Sequence, residues 1–328
     1  MEIFSFQKKL KKIGVLTSGG DGPGMNAGIR SVVRSALSQG LQVNGIMHGY
    51  AGLLKEEIIP LSHRSVSNII NRGGTILKTA RSKEFGTDEG KEKAVGILRK
   101  HQIDALVVIG GDGTYRGATV LYEKFKFPVV GLPGTIDNDL NGTDQTIGCY
   151  TAVNTALDAI DKIRDTAHSM QRIFIVEVMG NKSGYIAQEV ALGCGAEDVI
   201  VPERKFDYAR MCEEIKGGHT KGKISWMIIV AEGAGKAHEI ANTITTMTGL
   251  ETRFVVLGHV QRGGVPSGQD RILATRLGAA AVDLLIKGVY GKAVGIRQDE
   301  INISDLKDAT GKEFKHLDDY YRLMKTLT

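Results

Sequence analysis

A chain of 328 residues exceeds the comfortable size of one hydrophobic core, so two lobes are expected. With 42% hydrophobic and 24% charged residues it has the composition of a soluble globular protein, and no apolar run approaches the length of a membrane span. A net charge of +5, with 6% aromatics and no run of five basic residues, argues against a nucleic-acid partner and suits a small polyanionic substrate.

The opening stretch, MEIFSFQKKLKK, has its basic residues after the apolar ones and lacks an apolar core and a small-residue cleavage site. It reads as a short N-terminal extension, not a signal peptide. The first strand is expected at IGVLT from residue 13, followed by a helix over 26–39 whose Ile29, Val32, Val33, Ala36 and Leu37 share one face. Further strands are expected at ALVVIG from 105 and PVVGL from 128. A second helix over 151–164 aligns Ala152, Val153, Ala156, Leu157, Ile160 and Ile163. Then come RIFIVEV from 172, DVIVP from 198, SWMIIVA from 225 and RFVVLG from 253. These runs are continuous rather than alternating, as strands buried on both faces are. Strands alternating with helices predict an α/β fold: two similar lobes with mostly parallel sheets. Three scattered cysteines, Cys149, Cys194 and Cys212, have no Cys-x-x-Cys spacing. They indicate a reducing, cytoplasmic compartment and weigh against a structural metal site. The sequons at Asn141, Asn181 and Asn302 then carry no weight.

In such sheets ligands bind at the carboxyl ends of strands, where loops meet helix N-termini. After IGVLT comes SGGDGPGMN, a glycine turn whose backbone N–H groups can approach an oxyanion. After ALVVIG comes GDGTYRG, where an acid among glycines can hold Mg²⁺ beside phosphates. The chain has neither the P-loop signature nor Gly-x-Gly-x-x-Gly, which lowers the dinucleotide reading. After PVVGL comes PGTIDNDL, with Asp137 and Asp139 on the same side of an extended segment. One can take the proton of an attacking hydroxyl while the other orients it or binds metal; an Asx-turn pair capping the next helix is the plainer alternative. Glu232 follows another strand, and Arg253, His259 and Arg262 bracket a further one within ten positions, as a phosphate clamp would.

Several segments, in order from about residue 12 to about 296, resemble bacterial 6-phosphofructokinases. They are LTSGGDGPGMNAGIRSVVR, NRGGTILKTAR, VVIGGDGTYRGA, GLPGTIDNDLNGTDQTIG, AIDKIRDTA, VEVMG, VAEGAG and ETRFVVLGHVQRGG. GGDGT alone is not specific, because lipid and NAD kinases carry similar loops. The resemblance implies two Rossmann-like three-layer lobes with the active site in the cleft between them. Residues 1–147 and 261–312 would form the ATP-binding lobe, and 148–260 and 313–328 the sugar-phosphate lobe. It implies a homotetramer that phosphorylates fructose 6-phosphate at its 1-hydroxyl with Mg²⁺ and ATP, the committed step of glycolysis.

Residue by residue, the resemblance implies nucleotide contacts at Gly20, Arg81, Ser82, Gly111, Asp112, Gly113 and Thr114, with Asp112 holding Mg²⁺. Asp137 is implied as the base, with Thr135, Ile136 and Asp139 beside it. Sugar-phosphate contacts are implied at Met179, Gly180, Asn181, Glu232, His259, Val260, Gln261 and Arg262. Arg172 and Arg253 are implied to reach the site from a neighbouring subunit. An effector site for ADP and phosphoenolpyruvate is implied at Arg30, Arg34, Arg164, Gly195, Ala196, Glu197, Lys221, Lys223, Ile224 and Ser225. The chain departs from the family at Asn181 and Lys221, where arginine is common, and RSKEF lacks the aromatic often found after Arg81. A pyrophosphate-dependent relative typically has side chains where this chain has Gly113 and Gly134, filling the space that the α-phosphate of ATP needs. A non-catalytic regulatory subunit would have no use for Asp112 and Asp137.

Overall fold

The computed structural model describes residues 10–311 and 317–328; the expected extension over 1–9 and the junction at 312–316 lie outside the described residues. By contact the chain forms two compact units, Met1–Gly148 with Gly264–Lys312, and Cys149–Gly263 with Glu313–Thr328.

The first unit runs β1 (Lys12–Thr17), α1 (Met25–Ser38), β2 (Gln42–Ile46), α2 (Gly49–Leu54), β3 (Ile58–Leu61), α3 (Asp88–Lys100), β4 (Ala105–Gly110), α4 (Asp112–Glu123) and β5 (Val129–Pro133). The second contains α5 (Cys149–Met170), β6 (Ile173–Val178), α6 (Tyr185–Cys194), β7 (Asp198–Ile200), α7 (Tyr208–Thr220), β8 (Trp226–Ala231), α8 (Ala237–Thr248) and β9 (Thr252–Val256). The chain then returns to the first unit through α9 (Gly268–Ile286), β10 (Lys292–Arg297) and β11 (Glu300–Asp305), and ends with α10 (Leu317–Leu327) in the second.

The first sheet has the order β11-β10-β5-β4-β1-β2-β3. Its inner pairs are parallel, and its outer pairs, β10 with β11 and β2 with β3, are antiparallel. The central strand β4 is apolar and buried throughout because it serves two cores. Along β4, Ala105, Val107 and Ile109 join the core packed by α1 and α9, while Leu106 and Val108 join the one packed by α3 and α4. The α1 stripe buries Ile29, Val32, Val33 and Ala36 in the first of these cores, with Leu37 packed at its margin.

The second sheet, β7-β8-β6-β9, is parallel throughout. It has four strands against the first sheet's seven, so the two units share a class rather than a size. β6 is buried along its length, whereas β9, expected to be buried on both faces, leaves Phe254 49% and Val256 52% exposed. As an edge strand it has a neighbouring strand on one side only.

α10 is fastened to β7 and α7 by charge. Lys325 Nζ lies 2.8 Å from both Asp198 Oδ2 and Glu214 Oε2, and Arg204 stacks on Tyr321 at 3.2 Å. Burial pulls the Lys325 ammonium down, but Asp198 and Glu214 outweigh it and raise its pKa. Burial likewise raises the Glu214 carboxyl, but Lys325 and Arg210 hold it below its ordinary value. The raised lysine stabilises the fold below its ordinary pKa and loses that contribution as pH climbs through the folded value. The lowered carboxyl contributes above its ordinary pKa and loses that contribution on acidification through the folded value. The fastening is therefore complete across neutral pH. Lys325→Met strands a 4% exposed Asp198 side chain. Because Lys325 itself is partly exposed, we expect a loss of about 2 kcal/mol, below the cost of breaking a fully buried pair, which thermal unfolding at pH 7 will read as a melting point several degrees lower.

Candidate active site

Three neighbouring parallel strands, β5, β4 and β1, end level with one another, with Thr17 paired to Ile109 and Gly110 to Pro133. Their three loops are stitched together by backbone. Ser18 N donates to Ile109 O at 3.0 Å, Gly134 N to Gly110 O at 3.0 Å, and Thr114 Oγ1 to Ser18 O at 3.1 Å. A Cβ at Gly110 would stand 2.3 Å from Thr114 Oγ1 and 2.5 Å from Ser18 O, so only glycine allows this approach. Thr114 is thus buried as a brace between loops rather than a free ligand group.

Gly20 and Gly113 face solvent, and nothing lies within 4 Å of a Cβ built at Gly113. Gly113 sits in the first turn of α4 beside Asp112, where the helix dipole favours anions. Asp112 is held bidentately by Arg116, with Nε to Oδ2 at 2.7 Å and Nη2 to Oδ1 at 3.3 Å. Among the described residues no three His, Cys, Asp or Glu side chains cluster as a metal cage. Mg²⁺ bound with a nucleotide needs no cage, only one or two carboxylates beside the phosphates, and a part-exposed Asp112 beside an open glycine fits that donor set.

The segment carrying Arg81 is tied to the glycine turn. Thr17 Oγ1 donates to Lys78 O at 2.9 Å, and Thr79 Oγ1 donates to Gly19 O. Arg81 is exposed; the Ser82 hydroxyl accepts from Phe85 N at 3.0 Å, and Phe85 stacks on Tyr50 inside the core. Ser82, expected at the nucleotide, has its oxygen engaged in that turn.

The loop after β5 is not extended. It bends at Ile136 and Asp137, and Asn138 is left-handed at φ 49°. The alternation that placed Asp137 and Asp139 on one side does not survive this bend. Asp137 is 8% exposed, its N–H donating to Thr135 Oγ1 at 3.2 Å. Ile136 is fully buried and packs towards Gly22, so its side chain is core and not a ligand contact. The loop closes on itself: Asn138 Nδ2 donates to Asp144 O at 3.0 Å, Ile147 N to Pro133 O at 2.8 Å, and Gly148 N to Asp270 Oδ1 at 2.8 Å. Asp270, fully buried at the start of α9, went unrecognised in the sequence; Ser267 three residues earlier was its signal, a helix-capping pair.

Gly134 has a different reason from the one its sequence context suggests. A Cβ there would meet Ile109 Cγ2 at 2.7 Å and Gly110 N at 3.2 Å. It is glycine because two strands pack closely, while Gly113 alone faces open space.

In the second unit the carboxyl ends of β6 and β8 converge. Glu232 Oε1 accepts from Gly180 N at 3.2 Å and Asn181 N at 2.8 Å, and Met179 N donates to Gln261 Oε1 at 2.8 Å. Gly180 has φ 143° and Asn181 φ 54°, the latter a conformation that asparagine tolerates better than most residues. Gln261 is fully buried, its amide shared between Met179 N and Ala152 O at 3.5 Å, so its side chain braces the turn. That turn, Gly258–Arg262, presents His259 and Val260 exposed and Arg262 half-buried.

Arg172 and Arg253 lie elsewhere. They stand at the amino ends of β6 and β9 and share one carboxylate, Glu251, with Arg172 Nε at 2.8 Å and Arg253 Nη2 on the other oxygen. From Arg253 to the end of β9 at Val256 the strand runs three residues, on the order of 10 Å at the usual rise, before the turn that carries His259. Within this chain the Arg253 guanidinium pairs with Glu251, towards the opposite end of the strand from the His259 turn.

The amino ends also carry the second-unit part of the expected effector set. Arg164 donates to Cys194 O and, at 3.2 Å, to Gly195 O. Lys223 Nζ pairs with Glu197 Oε1 at 3.1 Å and lies 4.7 Å over the Trp226 ring. Glu197 Oε2 accepts from Met227 N at 2.6 Å. Ala196 is buried, Lys221 ends α7 exposed, and Ile224 and Ser225 lead into β8 half-buried. Arg30 and Arg34 are half-buried on α1 in the first unit.

Residues 12–285 match the family described as PFK: Phosphofructokinase. The chain is 53% identical over 319 residues to the ATP-dependent 6-phosphofructokinase of Clostridium tetani, covering 97% of this chain and 100% of that one. It is 54% identical over 302 residues to ATP-dependent 6-phosphofructokinase 1 of Thermus thermophilus, covering 92% and 94%. Among solved structures it is similar to phosphofructokinase from Saccharomyces cerevisiae, with a TM-score of 0.83 and 36% identity, over 96% of this chain and 46% of that one. It is similar in fold to a pyrophosphate-dependent phosphofructokinase from Marinobacter aquaeolei, with a TM-score of 0.80 and 23% identity, over 96% and 91%.

The two glycines give opposite expectations. Gly134→Ala should cost about 1–3 kcal/mol through overpacking. Gly113→Ala should leave the melting temperature unchanged or slightly raised, since alanine suits a helix better by about 1 kcal/mol. Thermal unfolding of both variants checks this.

Proposed function

The chain belongs to the phosphofructokinase family, and from that membership we propose that it catalyses ATP-dependent phosphorylation of D-fructose 6-phosphate at the 1-hydroxyl, giving fructose 1,6-bisphosphate. The observation that carries this reading is the level ending of β1, β4 and β5, which sets a glycine turn, Asp112 and Asp137 side by side. The open turns at Gly20 and Gly113 receive the nucleotide phosphates, and exposed Arg81 reaches the transferring group. Asp112 would hold Mg²⁺, which when bound neutralises phosphate charge. Asp137, sheltered from solvent, takes the proton of the 1-hydroxyl as that oxygen attacks, and Thr135 and Asp139 orient it. Glu232, the Met179–Gly180–Asn181 turn, His259 and Arg262 hold the sugar phosphate.

Arg172 and Arg253 serve the site of a neighbouring copy in a homotetramer, a reading supported by their position at the strand ends away from His259. The Arg164, Glu197 and Lys223 group binds the effectors ADP and phosphoenolpyruvate at a subunit interface, with Arg30 and Arg34 contributed across it. Cys149, Cys194 and Cys212 form no disulfide, which suits a reducing, cytoplasmic setting. Among the described residues no helix is long and apolar enough to cross a membrane.

A coupled assay with fructose 6-phosphate at saturating Mg²⁺ should give faster turnover with ATP than with pyrophosphate, because Gly113 leaves room for a longer donor. Faster turnover with pyrophosphate refutes the donor assignment. Asp137→Ser should lower kcat by ~10²–10⁴-fold while substrate binding by calorimetry persists. Turnover within threefold of the parent would exclude Asp137 as the base.

A further inference from the structure

Glu177 is the one charged residue in β6, and it is only 6% exposed on a central strand. A carboxylate there is costly unless its oxygens are bonded. Both are. Oε2 accepts from Ala237 N at 2.9 Å, and Oε1 lies 3.3 Å from Lys236 Nζ. Ala237 is the first residue of α8, whose N-cap is Lys236 and has no side-chain cap of its own. Lysine has no acceptor to offer, whereas caps are ordinarily Ser, Thr, Asp or Asn. The missing cap is supplied across the sheet by Glu177.

The capped residue ends the short connection that carries Glu232. That connection is pinned at its start by Glu232 N donating to Val178 O at 2.9 Å, and it tightens through Ala234 N to Ala231 O at 2.8 Å. It packs on the neighbouring turn so closely that a Cβ at Gly233 would be 2.2 Å from Asn181 O. Its far end is held by Glu177. The main chain of the same residue holds the other loop: Leu257 N donates to Glu177 O at 3.0 Å, just before the turn with His259 and Arg262.

We propose that Glu177 is a positioning residue for sugar-phosphate recognition, its side chain fixing the loop of Glu232 and its carbonyl the loop of His259. This rests on the assignment of Glu232 to the sugar phosphate. Small displacements of positioning groups carry large kinetic penalties, so loss of the cap acts on one substrate selectively. A cap with a structural role alone would change stability and leave both Michaelis constants in place.

The test is steady-state kinetics on the full chain, with melting temperature measured beside it. Glu177→Ala should raise KM for fructose 6-phosphate ~10-fold, with KM for ATP and kcat within ~2-fold. Glu177→Gln keeps a carbonyl acceptor for Ala237 N and should restore KM to within ~3-fold of the parent. Ala237→Pro removes the donor instead and covers the case in which Glu177→Ala does not fold. Proline is tolerated at the first helical position, and Lys236 at φ −101° and ψ 126° suits the residue before it. It should raise the same KM ~10-fold. An unchanged KM for fructose 6-phosphate in both Glu177→Ala and Ala237→Pro overturns the proposal. Glu232→Gln separates the two levels. If it leaves that KM unchanged, the sugar-phosphate assignment itself fails; if it raises KM while the Glu177 and Ala237 variants do not, only the role of Glu177 fails.

Discussion

Parallel pairing of β1, β4 and β5 is the constraint on which the first unit's chemistry depends. Strands that run the same way all release their loops at one edge. With neighbouring strands about 4.8 Å apart, three loops emerge within roughly 10 Å of one another. Register then matters as much as order. Because Thr17 lies opposite Ile109 and Gly110 opposite Pro133, the loops leave the sheet at one level and can bond to each other. The glycines at 110 and 134 follow from that closeness, since a side chain at either would strike the adjoining strand or loop.

The second sheet uses its two ends differently. At the carboxyl ends a single carboxylate oxygen of Glu232 collects two consecutive backbone N–H groups and shapes the turn after β6. At the amino ends carboxylates meet cations: Glu251 with Arg172 and Arg253, Glu197 with Lys223. The first arrangement makes a fixed cradle, because backbone donors cannot swing away. The second makes exchangeable partners, because an arginine or lysine can leave one carboxylate for another anion. A sheet with a fixed end and an exchangeable end is suited to recognition at one and to regulation or subunit contact at the other.

The buried strands were readable because both their faces are apolar, and the ligand ends were readable because glycine and acid cluster there. The sheet margins were not: β2, β3, β10 and β11 are short or mixed in polarity, and their runs give no continuous signal. Asp137 was legible as a candidate, but the bend around it was not, because nothing in TIDND announces a left-handed asparagine. Gln261 entered only through the resemblance, and the bracing role of its buried amide had no signal in the sequence. Arg253 and His259 misled through proximity in sequence. Arg253 lies near the start of β9 and His259 follows its end, so the extended backbone between them draws the two apart.

Across both units, the degree of burial sorts the acidic groups by task. Asp198, Asp270 and Glu177 are nearly or fully buried, and each is bonded to a backbone N–H or a lysine that offsets its desolvation. Asp112 is part-exposed and pairs with the exposed Arg116, an arrangement that suits the cation role proposed for it. Asp137 stands between these classes: low exposure, in a loop closed at both ends, with its backbone N–H donating to Thr135. A proton acceptor needs that combination. Its loop must be rigid enough to hold an attacking oxygen in line, and shelter from water keeps competing proton transfers away from the reacting centre.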